Sequence, residues 1–179
     1  MLYLSPVHRV LRLSGPDALI FLQSQLTNDV AALSVGGWQW QGYCSAKGRL
    51  LATFALARVG EDGWEAVVHS GTIDALAKRL TMFRMRSKVV IEIAADRSVG
   101  WAFDVADSAT SGLNLALPDG RAYVLLDAAV ATPLPAADDA IRQRWQHASI
   151  EAMQPEITAP TVEMFVPQKI GRASCRERV

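Results

Sequence analysis

Two apolar stretches separated by only Ala46-Lys47-Gly48 constrain this chain more than any other feature. Trp38 to Ser45 and Arg49 to Val59 each read as a strand, and a link that short joins them as an antiparallel hairpin, because a parallel return needs a crossover of a dozen or more residues. Trp38, Trp40 and Gly42 share one side of the first strand. Glu61-Asp62-Gly63 then turns into a third strand, Trp64 to His69. Upstream, Val7 to Leu13 reads as a strand and Ser14-Gly15-Pro16-Asp17 as a helix start. That helix carries an apolar face of Leu19, Ile20, Leu22 and Leu26 and stops near Thr27-Asn28-Asp29.

Downstream, Thr72 to Met85 is helical, with Ile73, Leu76, Leu80 and Phe83 on one stripe. Val89 to Ile93 and Val99 to Phe103 read as strands, Asp107 to Gly120 as loop, and Tyr123 to Leu126 as a short strand. Thr132-Pro133-Leu134-Pro135 breaks the chain before a helix over Ala137 to Ile150, where Ile141 and Trp145 lie one turn apart. Pro155, Pro160 and Pro167 exclude helix beyond it. Hairpins outnumber parallel crossovers in this order, so the expected class is α+β with antiparallel or mixed sheets and packed helices.

With 179 residues, half of them apolar and a fifth charged, the chain has the balance of one water-soluble globular domain. No apolar run reaches the ~20 residues that span a bilayer, and no secretory leader is read at Met1 to Arg12. The formal net charge is zero, which implies no bulk attraction to nucleic acid. Cys44 and Cys175 are too few and too far apart for a disulfide framework or a zinc site, in keeping with a cytoplasmic protein.

Residues 169–179 read as the translation of a sequencing-adapter DNA, and on that reading they are not native sequence. Without their four basic residues and one acidic residue the net charge is −3, and Cys44 is the one genuine cysteine.

The residues alone name no reaction. His8, His69 and His147 show no metal-ligand spacing, and no nucleophile elbow, P-loop or dinucleotide fingerprint occurs. The expectation is no catalytic constellation and no metal. The Thr27-Asn28-Asp29 corner either caps a helix end or places polar groups, Asn28 among them, in a cleft. Five tryptophans serve as core first and as platforms for flat ligands second.

Four segments in order resemble the YgfZ family, relatives of the glycine-cleavage T-protein. They are Ser14-Gly15-Pro16-Asp17-Ala18 continuing through Phe21 to Val30, then Tyr43 to Leu51, then Phe83 to Val89, and finally Ile150-Glu151-Ala152 with Phe165-Val166-Pro167-Gln168. The resemblance covers residues 1–168 as an incomplete T-protein-like folate-binding region. The family's Lys-Gly-Cys-Tyr-x-Gly-Gln-Glu signature, expected shortly after Gln168, does not occur. What the resemblance implies is a T-protein-like fold that binds tetrahydrofolate, with iron–sulfur enzymes, including a tRNA-modifying one, as clients. From the net charge and the lack of a spanning apolar run, no direct contact with nucleic acid or membrane is expected.

Carried over by position, Glu151 is the carboxylate that holds the pterin ring, and Trp145 is a folate-contacting tryptophan. His8 stands where the family has a second such tryptophan, and Asn28 is the polar group of its corner. Met153 stands where the Glu-Ala-Gly segment has glycine. The alternative is folate-dependent aminomethyl transfer. T-proteins place an aspartate near the reactive folate nitrogen; here that position is Thr53, which supplies neither the charge nor the proton transfer of a carboxylate.

Overall fold

The computed structural model describes residues 1–104 and 112–170, the last two by backbone alone. The sheets are built from β1 (Leu2–Leu4), β2 (His8–Ser14), β3 (Trp38–Cys44), β4 (Leu50–Arg58), β5 (Gly63–His69), β6 (Val90–Ile93), β7 (Arg97–Ala102), β8 (Leu113–Ala116) and β9 (Ala122–Asp127). The helices are α1 (Ala18–Gln25), α2 (Ser70–Phe83), α3 (Ala128–Ala131) and α4 (Asp139–Glu151). Five strands form one sheet in the order β3-β4-β5-β2-β6, and four form a second in the order β1-β7-β9-β8. Every neighbouring pair is antiparallel. The class is α+β.

Side-chain alternation along the strands stacks these parts in layers. On β2, Leu11 and Leu13 face α1 and α2, where they join Phe21, Leu22, Ile73 and Leu80 in one core. Val10, immediately before them, faces the other way and packs with Trp101, Tyr123 and Leu125 of the second sheet. The far side of that sheet, Leu2, Ala102 and Val124, is covered by α3 through Ala131. The order is therefore α1 and α2, five-stranded sheet, four-stranded sheet, α3. Trp145 of α4 packs into the core between the sheets, which brings α4 to the place where both contribute side chains.

The hairpin strands, β2, β5, α2 and α4 lie where the periodicity puts them. Three short elements have no sequence signal: β1 has three residues, β8 and α3 four each. Pairing creates them, as when Leu2, Tyr3 and Leu4 register against Ala102, Trp101 and Gly100. β8 falls inside the segment read as loop, of which residues 105–111 lie outside the described part. Two apolar faces also differ from expectation. Ile20 is 74% exposed because α1 turns Ala18, Phe21 and Leu22 inward instead, and Phe83 is half exposed at the frayed end of α2. Beyond Pro155 the chain makes two single 3-10 turns, Ala159–Thr161 and Pro167–Ile170; proline is compatible with a first turn. The adapter-like tail lies outside the described residues from 171 onward.

Candidate functional site: an aromatic cleft with one held carboxylate

A cleft of about 660 Å³ opens where α4 meets the two sheets. Its walls come from Trp40 of β3, Tyr123 of β9, Trp145 and Ile150 of α4, and, after α4, Met153 to Glu156 with Thr158. That size suits a small organic ligand, and the lining has the usual makeup of such sites, mostly apolar with a few polar groups.

α4 is capped by Asp138, whose Oδ1 accepts the Ile141 N–H at 2.8 Å. Its Trp145 stacks on Trp101 with centroids 4.9 Å apart and planes 4° from parallel, and the Arg121 guanidinium sits 4.5 Å from its ring. Only 3% of Trp145 is exposed, so it offers the cleft an edge. Arg121 is itself buried and bonds Asp119, the Trp145 carbonyl, Ser149 Oγ and Gln154 Oε1. It thereby ties the end of α4 and the segment after it to the second sheet.

That segment carries the carboxylate of the cleft. Met153 turns the chain with a φ of 49°, the left-handed conformation that glycine adopts without cost. Pro155 to Ile157 then runs past β4, where Thr53 grips it twice. Thr53 Oγ1 accepts the Ile157 N–H at 2.9 Å and donates to the Pro155 carbonyl at 3.4 Å. Glu156 is held between these two anchors, its side chain 35% exposed.

His8 Nε2 lies 2.5 Å from Glu156 Oε1. The other ring nitrogen, Nδ1, receives the Trp101 indole N–H at 3.2 Å and lies 2.8 Å from Ser5 Oγ. An indole N–H can only donate. Nδ1 is therefore the acceptor, Nε2 carries the hydrogen, and Glu156 accepts it. Burial pushes the Glu156 carboxyl up, but His8 outweighs this, by attraction when its ring is protonated and by the Nε2–H hydrogen bond. With a smaller contribution from His69, the group is left below the ordinary carboxylate value. Burial pushes the Tyr123 phenol far up, so the cleft keeps a neutral hydroxyl there.

Of the residues singled out in the sequence, His8 and Trp145 meet at this site through Trp101. Glu151 does not reach it. Its side chain is 69% exposed and lies 3.5 Å from His147 one turn earlier, beside a separate polar hollow that includes Arg121 and Arg144. The reason is helical phase. Six residues at about 100° each carry position 151 well away from the direction of Trp145. Asn28 lies behind the cleft, where its Nδ2 donates to the Trp40 carbonyl at 2.6 Å and its N–H to Gln41 Oε1 at 3.0 Å. It braces β3 and does not line the cavity. Glu156, Tyr123 and Trp40 were not singled out as site residues. The sequence signal for Glu156 was a lone carboxylate between Pro155 and Ile157; its partner is 148 residues away.

No model of a protein family matches the chain. An uncharacterized protein of Haemophilus influenzae is 23% identical over 172 residues, covering 96% of this chain and 60% of its own. A tRNA-modifying protein YgfZ of Serratia proteamaculans is 28% identical, covering 87% of this chain and 55% of its own, and one of Vibrio vulnificus is 25% identical, covering 90% and 56%. The crystal structure of a glycine cleavage system aminomethyltransferase T from Bartonella henselae superposes with a TM-score of 0.62 over 74% of this chain and 44% of that one, at 18% identity. Along most of its length the chain is similar to YgfZ proteins, and over the superposed part it has the fold of a T-protein. It spans between a half and three fifths of the length of these curated relatives.

Proposed function

We propose that this chain is the folate-binding part of a YgfZ-type protein that holds tetrahydrofolate in the aromatic cleft. The observation that carries the reading is Glu156. It has one oxygen committed to His8, and among the described residues its second oxygen has no hydrogen-bond partner. A carboxylate held this way accepts from the adjacent ring N–H and 2-amino group of a pterin in one plane. Trp40 and Tyr123 supply aromatic surface, and the volume suits a ring ligand of this size. The residues present therefore fit the cofactor. Bound folate would supply a one-carbon carrier. The chain's own part is to bind and orient it.

The reading extends to a cytoplasmic assembly factor for iron–sulfur enzymes, tRNA-modifying ones included, supported by the YgfZ relatives and the family resemblance. Among the described residues, no helix is long and apolar enough to cross a membrane. Aminomethyl transfer is disfavoured by Thr53. Its hydroxyl is engaged on both sides by Pro155 and Ile157, and it holds backbone where a transferase holds a carboxylate.

Calorimetric titration with tetrahydrofolate tests the proposal. Glu156→Gln replaces one acceptor oxygen with a donor facing the ring's own donors and should weaken binding by about 1–3 kcal/mol. Glu151→Gln should leave binding unchanged. No binding by the wild type, or equal binding by Glu156→Gln in a folded protein, refutes the assignment.

A further inference from the structure

Resting on that reading of the cleft, we propose that His8 and Thr53 are positioning residues that together fix Glu156, with Ser5 and Trp101 setting the tautomer of His8, so that the cleft selects ring ligands presenting two adjacent N–H donors.

Glu156 is constrained from two directions by groups that have no other evident task. Thr53 fixes its backbone, taking the N–H of the following residue and giving its hydroxyl hydrogen to the carbonyl of the preceding one. His8 fixes its side chain by donating Nε2–H to Oε1. Behind His8, the Trp101 indole N–H and Ser5 Oγ converge on Nδ1, and Ser5 Oγ is itself oriented by accepting the backbone N–H groups of Val7 and His8 at 3.3 and 3.1 Å. A hydrogen on Nδ1 would collide with the indole donor. The order of donation, Trp101 and Ser5 to His8 to Glu156, runs one way and ends on a carboxylate whose remaining lone pairs are acceptors. The selection follows. An ionised, oriented carboxylate accepts a pair of donors and rejects a ring that offers an acceptor or a methyl group there, because the carboxylate would be left unpaired.

The charged and titratable groups facing Glu156 are His8 from β2, His69 from the end of β5 and Tyr123 from β9, with Arg121 and Asp119 acting on Tyr123 from behind. Of these, His8 and His69 favour the ionised carboxyl, and burial opposes it. Removing His8 leaves burial countered by His69 alone.

Three measurements test the relay. In the ligand-free protein, nitrogen NMR of labelled histidine should show His8 with its hydrogen on Nε2; a hydrogen on Nδ1 instead overturns the proposal. Also without ligand, carbon NMR of the Glu156 carboxyl should show its titration moving to higher pH in His8→Leu, part of the way back in His8→Gln, and slightly upward in Ser5→Ala. Identical titration in wild type and His8→Leu, both folded by circular dichroism, overturns it. Should His8→Leu fail to fold, Ser5→Ala, at a half-exposed position, carries the same comparison, and an unmoved titration there also overturns it.

With 5-formyltetrahydrofolate as ligand between about pH 4 and 7, His8→Leu should bind roughly tenfold or more weakly and lose binding at a higher pH than wild type. Thr53→Val should weaken binding without moving the titration. An analogue with methyl in place of the 2-amino group should bind wild type roughly tenfold or more weakly. Wild type that binds both analogues equally removes the selectivity. Wild type that binds neither removes the folate reading, while the two ligand-free measurements still decide the relay.

Discussion

Glu151 and Glu156 are five residues apart and chemically unlike. The first sits in water beside His147, while the second is partly buried against His8. Their acid behaviour should differ accordingly. Because the folded Glu156 carboxyl lies below its ordinary value of 4.5, its contribution to stability is complete above that value and is lost as pH falls through the folded value. The difference in melting temperature between wild type and Glu156→Gln should therefore be largest near neutral pH and shrink below about pH 4.5. A difference that stays constant down to pH 3 would contradict the lowered value. At this scale the sequence was half legible. His8, Trp145 and Thr53 could be named by position, and Met153 adopts a left-handed turn of the kind that favours glycine. Glu156 could not be named, because the property that marks it, a hydrogen bond to a residue at the other end of the described chain, has no local trace.

Among the elements, length decided what could be read. The seven to nine residues of β2, β3, β4 and β5 each carry several turns of alternation, and the stripes of α2 and α4 repeat two or three times. β1, β8 and α3 are shorter than one clear repeat and exist because a neighbouring strand or sheet face was already there. Gly42 shows how one element is seated on another. Thr27, just past α1, accepts the Gly42 N–H through Oγ1 at 2.9 Å and donates its own N–H to the Gly42 carbonyl at 3.1 Å. A methyl group at position 42 would fall 2.9 Å from Leu50 Cδ2 and 3.1 Å from Thr27 Oγ1. Gly42→Ala should cost about 1–3 kcal/mol by urea unfolding, as overpacking does. Gly60→Ala, where the methyl meets nothing within 4 Å, should be neutral or slightly stabilising. Equal effects at the two positions would show that the corner is not docked as described.

At the scale of the molecule, the cleft exists because two sheets and a helix converge. Trp40 belongs to the five-stranded sheet, Tyr123 to the four-stranded one and Trp145 to α4. The antiparallel character of the whole was legible from the hairpin link. The stacking of the second sheet on the first was not, because half of that sheet consists of β1 and β8. On the adapter reading residues 169–179 are foreign to the fold, and deleting them should leave the melting temperature within about 1 °C, a change of no more than about ±0.5 kcal/mol. A larger loss would make the tail part of the fold.

The bond between His8 and Glu156 closes a span of 148 residues. During translation the histidine therefore waits for its carboxylate. At about 5–20 residues per second, roughly 7 to 30 seconds separate the synthesis of the two. A nascent chain can complete the hairpin and the five-stranded sheet in that time and still have no cleft carboxylate. On the proposed reading of the cleft, competence to hold a ligand is thus acquired late, as the segment after α4 leaves the ribosome, and a chain that stalls before Pro155 would be folded in part but empty-handed.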